Sequence, residues 1–251
     1  MIRPSPSLRP ALVALIAALV LVGCAPMPVP QPTAPAPVVM RPAPDPVMPP
    51  AVAAQSFVQV VARVQPVAEQ VCRERGAGRR CDFLIRVDDR PGVPINAYQT
   101  VAPDGRPLIV FTGALIRDAR NADELAFVLG HEAAHHIAGH IPRTRDTALA
   151  GAIVAGTLAA MGGADPGTIR TAQNLGAAVG ARTYSREFEL EADALGTVIA
   201  YRAGFDPERG IGFFNRLPDP GNRFLGTHPP NAARVEIVRR TLARLRAGAP
   251  A

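Results

Sequence analysis

The residues best placed to do chemistry are His131, Glu132 and His135, within the stretch Asn121–His140 (NADELAFVLGHEAAHHIAGH). Asn121 with Glu124 three positions on reads as a helix start, a side-chain cap with a returning carboxylate. Leu125, Val128 and Leu129 supply an apolar face at helical spacing, and Gly139 with Pro142 marks the end. On such a helix His131 and His135 stand one turn apart, so their imidazoles project together. Glu132 is rotated about 100° from His131, near enough to address a water beside a metal without ligating the metal itself. Two neutral nitrogen ligands, an open coordination position and a nearby base are what zinc-assisted amide hydrolysis requires. The plainer alternative is a buried helix whose histidines bond to backbone. The distribution of histidine argues against it: of five in the chain, His131, His135, His136 and His140 fall here, and the fifth is His228.

A catalytic zinc held by two histidines needs a third protein ligand, commonly a glutamate from a later helix. Residues 182–203 read as that helix, and Glu187, Glu189 and Glu191 are all candidates by chemistry. Glu189 and Asp193 are spaced i, i+4, so a ligand and a carboxylate that orients an imidazole could share one face. Glu187 and Glu191 have the same spacing on another face, and geometry alone does not choose between them.

The elements that must position these groups follow from pattern and turn chemistry. Residues 56–75 read as an amphipathic helix, with Pro66 expected to kink or split it. Asp82–Asp88, Ile95–Val101 and Leu108–Thr112 read as three short strands forming a small antiparallel sheet beside the histidine helix, the last two as a hairpin. Residues 147–180 are small and apolar, and read as a tightly packed helix pair turning at Asp165-Pro166-Gly167; a mobile or membrane-facing element over the cleft is the sharper alternative. Asp206-Pro207-Glu208 starts a short helix carrying Phe213 and Phe214, and Asn231–Ala247 reads as a closing basic amphipathic helix.

Taken in order, His131-Glu132-x-x-His135, Ser185–Asp193 (SREFELEAD) and Thr227-His228-Pro229-Pro230 with Arg234 resemble the HtpX-like and CAAX-prenyl-protease-like zinc metallopeptidases, gluzincins with HExxH and ExxxD. Asn96-Ala97-Tyr98 resembles the element that precedes the helix in that family. The resemblance covers roughly residues 55–245. It implies an α+β, mostly helical zincin-like domain with the small sheet beside the HExxH helix, binding one Zn2+ per chain. It assigns His131, His135 and Glu189 to the metal, Asp193 to their support, Glu132 to the catalytic base and His228 to the cleft. There His228 could donate to an oxyanion or occupy the open metal position; a histidine capping the last helix is the third reading.

Residues 1–23 read as a targeting segment: Arg3 and Arg9, then the apolar run Ala11–Val22, too short to span a bilayer. Leu21-Val22-Gly23-Cys24 resembles the lipobox of bacterial lipoproteins, in which Cys24 is acylated, and Ala25 after it resembles the default sorting to the outer membrane, facing the periplasm. Residues 24–50 then form a tether with eleven prolines, extended because proline removes backbone donors, and residues 51–251 form the peptidase domain. Two cysteines remain, Cys72 and Cys81, and an oxidising compartment favours a disulfide between them. All 27 basic residues are arginine; without Arg3 and Arg9 there are 25 against 21 acidic ones, a net +4 that is no nucleic-acid footprint. The expected activity is zinc-dependent endopeptidase action on unfolded or misassembled cell-envelope proteins. The rival is a rarely cleaving holdase or outer-membrane assembly factor on the same fold.

Overall fold

The computed structural model describes residues 45–76, 78–183, 185–216 and 229–249. The expected signal segment, Cys24 and the proline-rich stretch through residue 44 lie outside the described residues, and so does His228.

Residues 45–49 are fastened to the body. The Asp45 carboxylate accepts from Asn121 at 3.0 Å and from Arg209 at 2.8 Å. Helix α1 (Pro50–Arg75) starts earlier than its apolar pattern suggests, with Pro50 at the first position, where its missing N–H costs nothing. Ala53, Phe57, Val60, Val64, Ala68 and Val71 form its buried stripe. Pro66 neither splits nor ends it. Both Pro66 and Ala62, whose carbonyl loses its helical partner, are exposed, so water can satisfy that carbonyl. At the helix end Cys72 is joined to Cys81 in a disulfide, with Cα atoms 5.6 Å apart.

The sheet is mixed, where an antiparallel one was expected. Strands β1 (Leu84–Asp88), β2 (Ala97–Val101) and β3 (Pro107–Thr112) lie in the order β1-β3-β2. β3 pairs antiparallel with β2 through the expected hairpin, and parallel with β1. Residues 89–96 are long enough to carry the chain past the site of β3 to the far edge, so β3 enters between two strands that local turn signals make neighbours. β3 is the buried strand, with Phe111 fully enclosed and Ile109 nearly so; β2 is an edge. Thr112 accepts from Leu115 N and caps the short α2 (Gly113–Asp118).

Helix α3 (Ala122–Ile137) is the centre of the molecule, with twelve of its sixteen residues buried. Asn121 caps it, accepting from Glu124 N at 3.0 Å. The Glu124 carboxylate accepts from Arg120 N and is clamped by Arg216, while Asp123 is held by Arg209. Acidic side chains thus sit in the first turn, where the helix dipole favours them. α3 ends before His140, because Gly139 takes a left-handed φ of 70° and the chain restarts as α4 (His140–Met161). α4 pairs with α5 (Pro166–Thr183), confirming the helix pair read from its small apolar residues.

Helix α6 (Ser185–Arg202) lies across α3, and the two meet at Gly130 and Gly196. A Cβ on Gly130 would come within 2.8 Å of the Gly196 carbonyl oxygen, and one on Gly196 within 2.8 Å of the His131 amide nitrogen. The chain closes through α7 (Pro207–Gly210), a 3-10 turn (Ile211–Arg216) carrying Phe213 and Phe214, and α8 (Asn231–Arg246), whose Val238 and Leu242 enter the core.

The disulfide closes a nine-residue separation, which constrains the unfolded chain by roughly 2–3 kcal/mol in the entropic treatment. Replacing both cysteines by alanine should lower unfolding stability by that amount in a denaturant titration and leave metal content unchanged. A loss of metal with the disulfide would show that the bond holds the site as well as the fold.

Candidate metal centre

α3 contributes His131, Glu132 and His135, and α6 contributes Glu189 and Asp193. The His131 and His135 Nε2 atoms stand 3.0 Å apart. A Glu189 carboxylate oxygen lies 3.7 Å from the first and another 3.5 Å from the second. These three residues are the one group among the described residues with the ligand atoms of a metal site. A tetrahedral zinc with bonds of about 2.0–2.1 Å separates its ligand atoms by about 3.3–3.4 Å, so the triangle fits such an ion.

The tautomers follow from the partners on the far side of each ring. His131 Nδ1 lies 2.9 Å from Asp193 Oδ1, which can only accept, so Nδ1 carries the proton and Nε2 keeps its lone pair for the centre. His135 Nδ1 lies 2.8 Å from His140 Nδ1, and His140 Nε2 lies 3.2 Å from Glu191 Oε2. The Glu191 carboxylate accepts a hydrogen bond from His140 Nε2–H, so His140 Nδ1 accepts from His135 Nδ1, and His135 Nε2 is also left free to bind. Arg143 donates to Glu191 at 2.7 Å, and His140 stacks on Phe188 with ring centroids 4.6 Å apart.

Behind His131, Arg234 grips Asp193 with two bonds of 2.7 Å, and its guanidinium lies 3.5 Å from the centre of the Phe214 ring. Asp193 is fully enclosed; burial alone would raise its pKa, but Arg234 and His131 together hold it below the usual aspartate value. Burial likewise works against a charged His131, yet Asp193 outweighs it and keeps that pKa raised. Burial, with the neighbouring His131 charge, pushes His135 down to about 3, so this ring is neutral at physiological pH. Burial pushes the Glu132 carboxyl up to about 7, a value suited to exchanging protons near neutrality. Glu132 is also hydrogen-bonded to the Gln99 backbone in β2, so the edge strand runs beside it. A cleft of about 460 Å³ opens onto the group, lined by Ala97, Tyr98 and Gln99 of β2 and by Phe213, Phe214, Pro229 and Arg234.

Of the sequence candidates, His131, Glu132, His135, Glu189 and Asp193 are brought together. Glu187 is exposed, and Glu191 lies behind His140. His136 points elsewhere, to the Arg80 carbonyl and the Phe83 ring. His228 lies outside the described residues, while Pro229 after it lines the cleft. Two groups join the site that the sequence motifs do not place in it. The sequence reads His140 as part of the Asn121–His140 helix, although Gly139 signals the break. Arg234 stands in sequence near the His228 motif, with nothing there to mark its bond to Asp193.

The His140 bond makes a prediction. His140→Ala should weaken metal binding by about 10–100-fold, the usual cost of losing a group that orients a ligating histidine. Competition with a metal-sensitive dye would read it. Unchanged affinity would mean that packing alone sets the His135 ring.

Residues 59–242 match the family described as Peptidase family M48. The chain is 30% identical over 148 residues to the mitochondrial metalloendopeptidase OMA1 of Arabidopsis thaliana, covering 57% of this chain and 29% of that protein. It is 27% identical over 177 residues to the beta-barrel assembly-enhancing protease of Escherichia coli, covering 65% and 34%. With human OMA1 the identity is 29% over 176 residues, covering 64% and 32%. The matched segment thus spans about a third of the length of these relatives. The family match runs through both halves of the site, from α1 through α3 and α6 into α8, and the chain belongs to peptidase family M48, the metal-dependent peptidases.

Proposed function

We propose that the chain is a zinc-dependent endopeptidase acting on unfolded or misassembled cell-envelope proteins, held by a lipid on Cys24 at the periplasmic face of the outer membrane. The observation that carries the peptidase reading is the triangle of His131, His135 and Glu189 with Glu132 beside it, open to a cleft along the edge strand β2. Two imidazoles and one carboxylate are a donor set that zinc favours in hydrolytic sites. Zinc held there would supply the charge that polarises a scissile carbonyl and makes a water acidic near neutral pH.

The chain's own groups do the rest. Glu132 takes the proton of the attacking water and passes it to the leaving amide nitrogen. The edge strand β2 pairs with an extended substrate backbone, which selects unfolded segments over folded ones. His228, adjacent in sequence to the cleft-lining Pro229, donates a hydrogen bond to the developing oxyanion. The envelope assignment is supported by the lipobox-like Leu21–Cys24, the disulfide, and the name of the E. coli relative, a protease that enhances beta-barrel assembly. No helix among the described residues is long and apolar enough to cross a membrane.

Cleavage of casein, with and without a chelator and after zinc is restored, tests the reading and separates an endopeptidase from a holdase that binds without cutting. Glu132→Gln should keep its metal while turnover falls by at least about a hundredfold. Glu189→Ala should lose the metal, Asp193→Ala should weaken its binding by about 10–100-fold, and Glu187→Ala should do neither. Near wild-type cleavage by Glu132→Gln would refute the mechanism, and a metal-free Glu187→Ala would refute the choice of helix face.

A further inference from the structure

The hairpin of α4 and α5 is turned inside out relative to a helix pair in water. Eighteen consecutive residues, 147–164, carry no charge. The two helices meet through small residues: side chains added at Gly151 or Gly176 would run into the backbone of the opposite glycine, and one at Gly180 into that of Thr147. The large apolar side chains therefore face outward. Leu149 and Ile153 are 61% and 58% exposed on one face of α4. On another face Val154 and Leu158, 60% and 65% exposed, border an apolar groove of about 580 Å³ with Leu175 and Val179 of α5. No residue of α5 is buried.

A second copy or a folded partner would cover one of these faces and leave the other in water. A lipid medium covers both, and close glycine contact with apolar side chains turned outward is how helices pair in lipid. The charges around the stretch fit that solvent. Exposed Arg145, Arg170 and Arg182 outnumber the exposed carboxylates around the stretch, Asp146 and Asp165, and Asp165 is engaged in capping α5. That positive excess around an apolar element suits anionic headgroups over an acyl layer. Because neither helix is a membrane span, the element would lie within the interface rather than cross it.

We infer that the α4–α5 hairpin is a membrane-docking element that inserts into the interface of a bilayer containing anionic phospholipid. Both of its roots stand at the metal centre. α4 begins with His140 and the cleft-lining Ile141, and α5 ends two residues before the helix that carries Glu189. Docking sets the cleft against the lipid surface, where membrane-bound polypeptide would be met. This contact is independent of any lipid on Cys24.

The test uses the full chain with Cys24→Ser, so that a cysteine introduced at Leu158 or Leu175 is the only free thiol, and labels it with a polarity-sensitive dye. A control label goes at Glu236 on α8. With phosphatidylethanolamine–phosphatidylglycerol vesicles, the hairpin labels should shift to the blue and be quenched by nitroxides in the acyl chains; the Glu236 label should do neither. The shift should weaken in salt and without phosphatidylglycerol. Introducing Leu175→Glu into the chain labelled at position 158 should abolish the response while casein cleavage is retained. Hairpin labels that stay water-exposed with vesicles would overturn the inference. So would a blue shift that needs no vesicles and grows with protein concentration, which would mean a second copy, or one that appears only with unfolded polypeptide, which would mean a substrate groove.

Discussion

The site depends on how closely α3 and α6 approach. At their crossing Gly130 faces Gly196, and any side chain there would press into the backbone of the opposite helix. A glycine inside a helix costs about 1 kcal/mol relative to alanine, and this crossing carries two. What it gains is register. Asp193 and Glu189 lie three and seven residues before Gly196, on the same face of α6, so contact at the glycines sets one carboxylate against His131 Nδ1 and the other against both Nε2 atoms. The buried α3 provides a platform that cannot easily slide away.

Proton placement follows from the same contact. Each histidine has one nitrogen committed to a partner behind it, so neither can turn its lone pair from the centre without breaking a bond. The two supports differ in kind. His131 leans on a buried Asp193–Arg234 pair, in which removing either partner strands a charge in the interior. His135 leans on the neutral ring of His140, whose charged partners Glu191 and Arg143 lie nearer the surface. The first support is therefore the stiffer, and the second joins the site to the root of the hairpin.

Much of this was legible in the sequence, and what was missed has physical causes. The HExxH spacing, the Asn121 cap and the helix pair of residues 147–180 are local signals, and local signals are what a sequence displays best. Choosing Glu189 over Glu187 and Glu191 needed the family resemblance, because both faces of α6 carry carboxylates at the same spacing. The mixed sheet was hidden because strand order depends on where an eight-residue connection lands, and turn chemistry records only that the chain reverses. Pro66 was overread, since a proline on the wet side of a helix leaves its orphaned carbonyl to water. Arg234 lies 41 residues from Asp193, and nothing near it in the chain marks it as a buried counter-ion.

The most direct test of this account is zinc affinity in Gly196→Ala. Alanine is the better helix former, so circular dichroism should show the helices intact. The added Cβ would meet the His131 amide nitrogen and Cα at 2.8 and 2.9 Å and must push α3 and α6 apart. Glu189 and Asp193 should then stand off from the histidines, and zinc binding should weaken at least about tenfold, a loss of the size seen when ligand positioning fails. A folded Gly196→Ala protein that binds zinc as tightly as the wild type would contradict the claim that the glycine crossing builds the site.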